Sequence, residues 1–369
     1  MSFDSELRVL MVIPSYFPLV GGAEKQVAGL VNSLGKISCK ATILTRLLPN
    51  TSKIDVVDGI SIIRLKTTKY RIVFLLQLSY FLFKNRFFFD VIHVHTLNSP
   101  AIVSAFVGRL THTPVIVKVT RSGKDCQLSR YSSSNIGRLF FCILSALVTR
   151  FIAITDDVRK ELLSFGVQTK KIIQIPNGVE LPVFNSLKKD KQSSCIFVYV
   201  GRLIDRKRVD WLINAFFDAN LNKNDRLIII GAGIKMDSLV KLTLDLGLGS
   251  RVEFMGEISH DKVIEMLLLS DVFVLPSDSE GMSNSLLESM ASNNAVIAAN
   301  IPANKGLIMN GINGLLFSTI DDLSRCLYEV SNSDALRTNL SKNANNDIRK
   351  EYSFKTIAQH YKDSYNSLI

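Results

Sequence analysis

The 369 residues are too many for one ordinary domain and suit two of roughly 150 each. A composition that is 47% hydrophobic and 21% charged, with 20 Gly and 9 Pro, excludes disordered, collagenous and low-complexity chains. The net charge of +11 points to an anionic partner without naming one. Five cysteines, at 39, 126, 142, 195 and 326, share no CxxC or CxxH spacing. Neither a disulfide framework nor a structural zinc site is indicated, and a reducing, cytoplasmic setting is the expectation.

Residues 1–8 carry two acids before the first apolar run, which does not read as a signal peptide. Short apolar runs then alternate with longer amphipathic ones. Strands are predicted at Val9–Ile13, Ala41–Thr45, Ile60–Arg64, Val91–Val94, Val115–Val119 and Phe151–Ile154, with helices such as Glu24–Leu34 and Ile136–Val148 between them. The stretch Ile72–Phe89 is the most apolar, but Gln77, Lys84, Asn85 and Arg86 break it short of the ~20 residues a bilayer span needs. It reads as a buried or half-buried helix, or as a basic-aromatic face resting on a membrane surface.

After a polar hinge at 186–194 the pattern restarts. Strands are predicted at Ile196–Val200, Arg226–Ile230, Val252–Phe254, Val272–Leu275 and Ala295–Ala298, and a last helical segment spans Tyr352–Ile369. This βαβ alternation predicts two doubly wound α/β units with parallel sheets. The expected division is residues 1–185 for the first domain and 186–351 for the second, with 352–369 returning to the first.

Five places invite a chemical reading. Gly21 and Gly22 open a helix after the first strand, a turn that exposes N–H groups to an anion but is also an ordinary βα turn. Arg202 leaves a strand directly after Gly201, and Lys207 stands five residues on; two such cations suit a pyrophosphate. Arg206 and Arg208 add charge that reads as solvated. A loop after Leu275 leads to Glu280 and Gly281, and a helix from about Asn284 places Glu288 one turn in. Its first N–H groups, near Ser283 to Ser285, point between the two carboxylates. Carboxylates accept from sugar hydroxyls, so this combination suits a ligand with both sugar and phosphate. Gly231-x-Gly233 lacks the third glycine of a dinucleotide fingerprint, with Met236 in its place, which disfavours a nicotinamide enzyme. His93 and His95 share one face of a strand. One reads as capping a strand edge, and His95 alternatively as facing an acceptor; a zinc pair lacks a third ligand.

In order and spacing, these pieces resemble a family 4 glycosyltransferase of the GT-B fold, a group of retaining, nucleotide-sugar-dependent enzymes. The resemblance runs through the GG loop, DVIHVH at 90–95, ITDDVRKEL at 154–162, IPNGVE at 175–180 and VGRLIDRKRVDWLINAF at 200–216. It continues in IIGAG at 229–233, VEFMGEISHDKV at 252–263, the E-x7-E pair Glu280 and Glu288, and NGINGLLF at 310–317.

The resemblance implies two Rossmann-like domains facing across a cleft. It implies that Gly22 approaches the donor diphosphate, with Gly21 shaping the turn, and that Arg202 and Lys207 stabilise the leaving pyrophosphate. Glu280 would bind the donor sugar and Glu288 the ribose. Gly281 and the backbone amides of Met282, Ser283, Asn284, Ser285 and Leu286 would complete the site. No cofactor and no metal is implied, and the sequence offers no DxD triplet. The implied partners are a nucleotide-sugar and a glycan or lipid-linked acceptor; the Lys and Arg beside aromatics in Tyr70–Phe89 add an anionic membrane surface, and nucleic acid is not expected. The implied setting is cytoplasmic, peripheral on the inner face of the membrane.

The chain also departs from the family pattern. Thr120, followed by Arg121, stands where many members carry a histidine. Ser283 replaces the proline of EGxP, ASNNAV at 291–296 lacks the usual Gly and Pro, and Gly306 stands where a glutamate is common. His95, Thr120 and Arg121 are therefore the acceptor-side candidates. Three other readings remain: a nucleic-acid binder, although the basic residues are dispersed and form no motif; a dinucleotide oxidoreductase; and a nucleotide-sugar-binding homologue with weak or lost activity.

Overall fold

The computed structural model describes residues 6–19, 21–66, 71–121, 128–132, 134–182 and 194–369. The chain divides into two compact units, 1–178 with 354–369, and 179–353. The boundary expected at 185/186 lies outside the described residues, as does all of the 186–194 hinge except Ser194. The division falls earlier because Val179 pairs with Ser353 and its N–H donates to the Tyr352 carbonyl at 2.9 Å, so the segment entering the second unit lies beside the one leaving it.

The first unit runs β1 (Leu7–Val12), α1 (Gly22–Gly35), β2 (Cys39–Arg46), β3 (Ile54–Val57), β4 (Ile60–Leu65), α2 (Arg71–Lys84), β5 (Val91–Val94), α3 (Ser99–Thr111), β6 (Val115–Val119), α4 (Ser129–Ser132), α5 (Asn135–Leu147), β7 (Arg150–Ala153), α6 (Asp156–Ser164) and β8 (Ile172–Gln174). The sheet order is β3-β4-β2-β1-β5-β6-β7-β8. All pairs are parallel except β3–β4, a hairpin whose turn residues Asp58 and Gly59 both take positive φ. Central strands are buried on both faces, which explains their nearly continuous apolar runs. Strand growth starts at β1, moves to one side through β2 and β4, then to the other through β5 to β8. With right-handed crossovers, that reversal puts α1 on one face and α2, α3 and α5 on the other.

The second unit runs β9 (Ile196–Val200), α7 (Val209–Asp218), β10 (Arg226–Ile230), α8 (Met236–Asp245), β11 (Val252–Gly256), α9 (His260–Leu269), β12 (Val272–Leu275), α10 (Asn284–Ala291), β13 (Ala295–Ala299), α11 (Pro302–Lys305), β14 (Leu315–Phe317), α12 (Ile320–Ser331) and α13 (Asp334–Asp347). Its order is β11-β10-β9-β12-β13-β14, all parallel. Alternation splits the core: Phe197 and Tyr199 pack with α7 and α12, while Val198 packs with α9 and α10. Ser259, Ser283, Thr319 and Ser333 cap their helices through side-chain oxygens, which stops each loop where its sequence suggests.

A last helix, α14 (Phe354–Asn366), belongs to the first unit and shares a core with α1 through Ile357, Ala358, Tyr361 and Tyr365. Phe354 is wedged between Gly29 and Gly178, where an added Cβ would lie 2.2 and 2.3 Å from the ring. Gln26 clasps Gly178 at both its N–H and its carbonyl, at 2.9 and 2.7 Å. The glycine of IPNGVE is thus explained by packing.

Candidate functional site

In an open parallel sheet, the crevice for a ligand lies beyond the carboxyl ends of the strands where the order reverses. In the second unit that point is β9/β12, since β10 and β11 extend to one side and β13 and β14 to the other. Arg202 and Lys207 follow β9, and Glu280 and the start of α10 follow β12. Topology alone therefore brings these residues to one sheet edge.

The loop after β9 is held by close backbone approach. Gly231 takes φ +133°, and a Cβ there would sit 2.0 Å from the Gly201 carbonyl oxygen; one at Gly233 would sit 2.2 Å from that of Leu203. The Gly231-x-Gly233 pair lets the β10 loop pass under the β9 loop, a task unrelated to a dinucleotide. The Tyr199 hydroxyl donates to the Arg202 carbonyl at 3.1 Å, which fixes where Arg202 leaves the strand. Arg202 itself is exposed.

Lys207 is buried, and its ammonium donates to the Glu280 carboxylate. Burial pushes the Lys207 pKa below its usual range, while the charge and hydrogen bond of Glu280 pull it back. The two loops are tied twice more: Arg206 donates to the Ser279 carbonyl at 3.0 Å, and the Asp278 N–H donates to the Arg206 carbonyl at 2.9 Å. Arg208, in the left-handed region at φ +48°, stacks on Trp211 and lies 3.5 Å from Asp278. Arg206 and Arg208, expected to be merely solvated, are structural ties. Nothing in their spacing shows the ties to the other loop, because Ser279 and Asp278 lie 70 residues or more away in the chain.

At α10, Ser283, standing where the family pattern has proline, is the N-cap. Its hydroxyl accepts from the Leu286 N–H at 3.3 Å and pairs with the Ser285 hydroxyl at 3.1 Å. The Leu286 amide, expected to face the donor, is therefore engaged by the cap. Gly281 is buried beside Glu280, and Met282, Asn284 and Ser285 are half-buried around the cap. Glu288, one turn in, keeps a largely buried carboxylate with the His260 Nε2 3.9 Å away. Asn293 takes φ +63° just past the helix end, where the family pattern has glycine; asparagine is the residue after glycine that tolerates this conformation best. Gly306 ends α11 with ordinary backbone angles, and a Cβ there would meet its nearest neighbour at 3.6 Å.

In the first unit the reversal lies at β1/β5. Gly21 and Gly22 follow β1, His95 follows β5, and Thr120 and Arg121 follow β6, so the structure gathers them at one edge of that sheet. The Gly21 N–H donates to the Glu24 carboxylate at 3.0 Å, and Glu24 also accepts from the Ser15 hydroxyl at 2.8 Å. A carboxylate thus caps the α1 terminus, a partner the sequence reading missed. His93 and His95 stack at 4.1 Å and are buried, with the His93 Nδ1 2.8 Å from the Tyr365 hydroxyl. His93 belongs to the α14 contact. His95 is buried rather than open to solvent, and burial, reinforced by His93 and Lys118, pushes its pKa well below the usual range. Thr120 is half-buried and Arg121 exposed. Among the described residues, no three His, Cys, Asp or Glu are grouped to hold a metal ion.

Fold and site define an α/β protein that concentrates cations, carboxylates and a helix N-terminus at a strand-order reversal. Comparison with known proteins supplies the family. The sequence model described as glycosyltransferase family 4 matches residues 20–182, and the one described as glycosyl transferases group 1 matches residues 184–347. An uncharacterized glycosyltransferase of Methanocaldococcus jannaschii is 26% identical over 368 residues, covering 98% of this chain and 99% of that protein. The UDP-Gal:alpha-D-GlcNAc-diphosphoundecaprenol alpha-1,3-galactosyltransferase of Escherichia coli is 28% identical over 298 residues, covering 76% of each. Anabaena HepE, solved in complex with UDP, superposes with a TM-score of 0.78 at 18% identity, over 98% of this chain and all of that one, which shows the fold. The chain is a family 4-type glycosyltransferase with the GT-B fold.

Proposed function

We propose that this enzyme transfers a sugar, with retention, from a nucleoside-diphosphate sugar to a glycan or lipid-linked acceptor in cell-surface polysaccharide assembly. The observation that carries the reading is the Lys207–Glu280 pair at the β9/β12 reversal, with Arg202 and the α10 N-terminus on the same sheet edge. The names of relatives support it. The Escherichia coli protein is named for a UDP-galactose donor and a diphosphoundecaprenol acceptor, and a Staphylococcus aureus relative for capsular polysaccharide biosynthesis.

In this mechanism the bond from the sugar C1 to the phosphate oxygen breaks. Arg202 and Lys207 neutralise the charge that builds on the departing diphosphate, an electrostatic task for which fixed cations replace a metal. Glu280 holds sugar hydroxyls and Glu288 the ribose hydroxyls, while backbone amides of the α10 N-terminus approach the phosphates. The acceptor hydroxyl attacks the same face of C1, and its proton passes to the leaving phosphate oxygen. Thr120 and Arg121 lie on the acceptor side, and His95 supports that edge from beneath. The setting is the cytoplasmic side of a membrane; among the described residues no helix is long and apolar enough to cross one.

A thermal-shift panel of nucleotide-sugars tests the donor. One sugar-nucleotide should raise the melting temperature, and its nucleoside diphosphate should be released slowly by the native protein but not by Glu280→Ala. Binding without release would favour a homologue that has lost transfer, the reading that Thr120 and Gly306 motivate.

A further inference from the structure

The first unit leaves several apolar helix flanks exposed. In α2, Phe74, Leu78 and Leu82 face the sheet, but Ile72, Leu76, Tyr80 and Phe83 on the opposite flank are exposed at helical spacing. In α5, Phe141 and Leu144 are buried, while Ile136, Leu139, Phe140 and Ile143 form a second exposed stripe. Helix α3 lies between them, packed against both, and adds exposed Phe106 and Leu110. Three neighbouring helices on one sheet face thus turn apolar flanks outward, more than single scattered surface residues amount to.

Charge says what covers this face. None of the three helices contains an Asp or Glu. Residues 71–155 hold ten Lys and Arg against two Asp and Glu; of the ten, Lys118 and Arg150 contact α14 instead of this face. Of those two acids, Asp90 is paired with Arg8 at 2.9 Å. The cations sit among aromatics: Arg86 lies 4.9 and 4.4 Å from the ring centroids of Phe83 and Phe87, and Lys84 lies 5.8 Å from that of Tyr80. Arg109 and Arg138 stand exposed on α3 and α5. Apolar and aromatic side chains ringed by unopposed cations match the interface of a bilayer with negative headgroups.

We propose that the α2–α3–α5 face docks on an anionic lipid bilayer, with α5 as deeply engaged as the more conspicuous α2. The proposal does not rest on the donor reading, which concerns the other unit. The test is co-sedimentation of the full chain with phosphatidylcholine vesicles with and without phosphatidylglycerol. Partition should be at least tenfold stronger on the anionic vesicles and should fall with added salt. R109E/R138E and L139S/F140S alter exposed positions only, and each should lower partition at least tenfold while the melting temperature stays unchanged. As a check independent of those variants, Phe140→Trp should be quenched by brominated phosphatidylglycerol vesicles well beyond the native protein, whose single Trp211 lies in the second unit. Equal partition on both vesicles, or no partition, would overturn the proposal. So would an unquenched Trp at 140, or a dimer that L139S/F140S dissociates, which would make a second copy the occupant.

Discussion

The Lys207 ammonium and the Glu280 carboxylate, 73 residues apart in sequence, meet with side chains only 11% and 8% exposed. Removing either partner strands a charge out of water, which costs about 3 kcal/mol or more, whereas removing both costs much less. Lys207→Met and Glu280→Leu should each lower urea stability by about that amount, and the double variant should recover a large part of it. Additive losses would show that the pair is not coupled.

Arg202 offers a contrast because it is exposed and forms its positioning contact through backbone. Arg202→Ala should leave the melting temperature unchanged and weaken binding of the donor's nucleoside diphosphate, whichever base the thermal-shift panel selects, about tenfold, about 1.4 kcal/mol. Calorimetry reads both the affinity and its salt dependence. Unaltered affinity would remove Arg202 from the diphosphate site.

The crossing of the β9 and β10 loops gives a sharper structural test. Gly231→Ala meets the Gly201 carbonyl oxygen and must hold φ +133°, so it should cost about 3 kcal/mol or more and displace Arg202 with it. Gly35→Ala, with nothing within 4 Å of its Cβ, should be neutral or slightly stabilising. Chemical denaturation of the two variants side by side measures the difference.

Lys118, buried under α14 with its ammonium 5.8 Å from the Tyr361 ring centroid, has its pKa pushed down to about 8 by burial. The unfolded chain holds that proton up to about 10.5. Between these values the unfolded state binds more protons, so stability should rise with pH from about 8 to about 10.5 and be flat below, where Lys118 is charged in both states. Lys118→Met should abolish that rise and stabilise the protein near neutral pH by as much as about 3 kcal/mol. His93 follows the same rule at lower pH: burial, then Lys118, pushes it down to about 3, so its contribution is lost as pH falls from about 6.5. Urea titrations at several pH values check both.

Much of this was legible from residue order. Strands β5, β6, β9, β10 and β12 begin and end where they are predicted to, because strands buried on both faces read as nearly continuous apolar runs. The edge elements β3, β8 and β14 were missed; they are only three or four residues long, and β3 and β8 bury no residue fully, so they carry little pattern. At the site, residue types were legible but engagements were not. Glu24 as the α1 cap, the Arg206–Ser279 tie and the capping of Leu286 by Ser283 depend on which loops end side by side. The glycine missing after Ala291 looked like a defect, yet Asn293 takes the same left-handed turn.

The sequence by itself determined two doubly wound parallel units and the chemical inventory of the site, because the period of burial and the identity of charged groups are local properties. Only the tertiary structure decided which of those groups meet. Strand order is a non-local choice: setting β9 beside β12 and β1 beside β5 created the two reversals where the loops converge. It also laid α2, α3 and α5 side by side, turning three separate apolar stripes into one outward face.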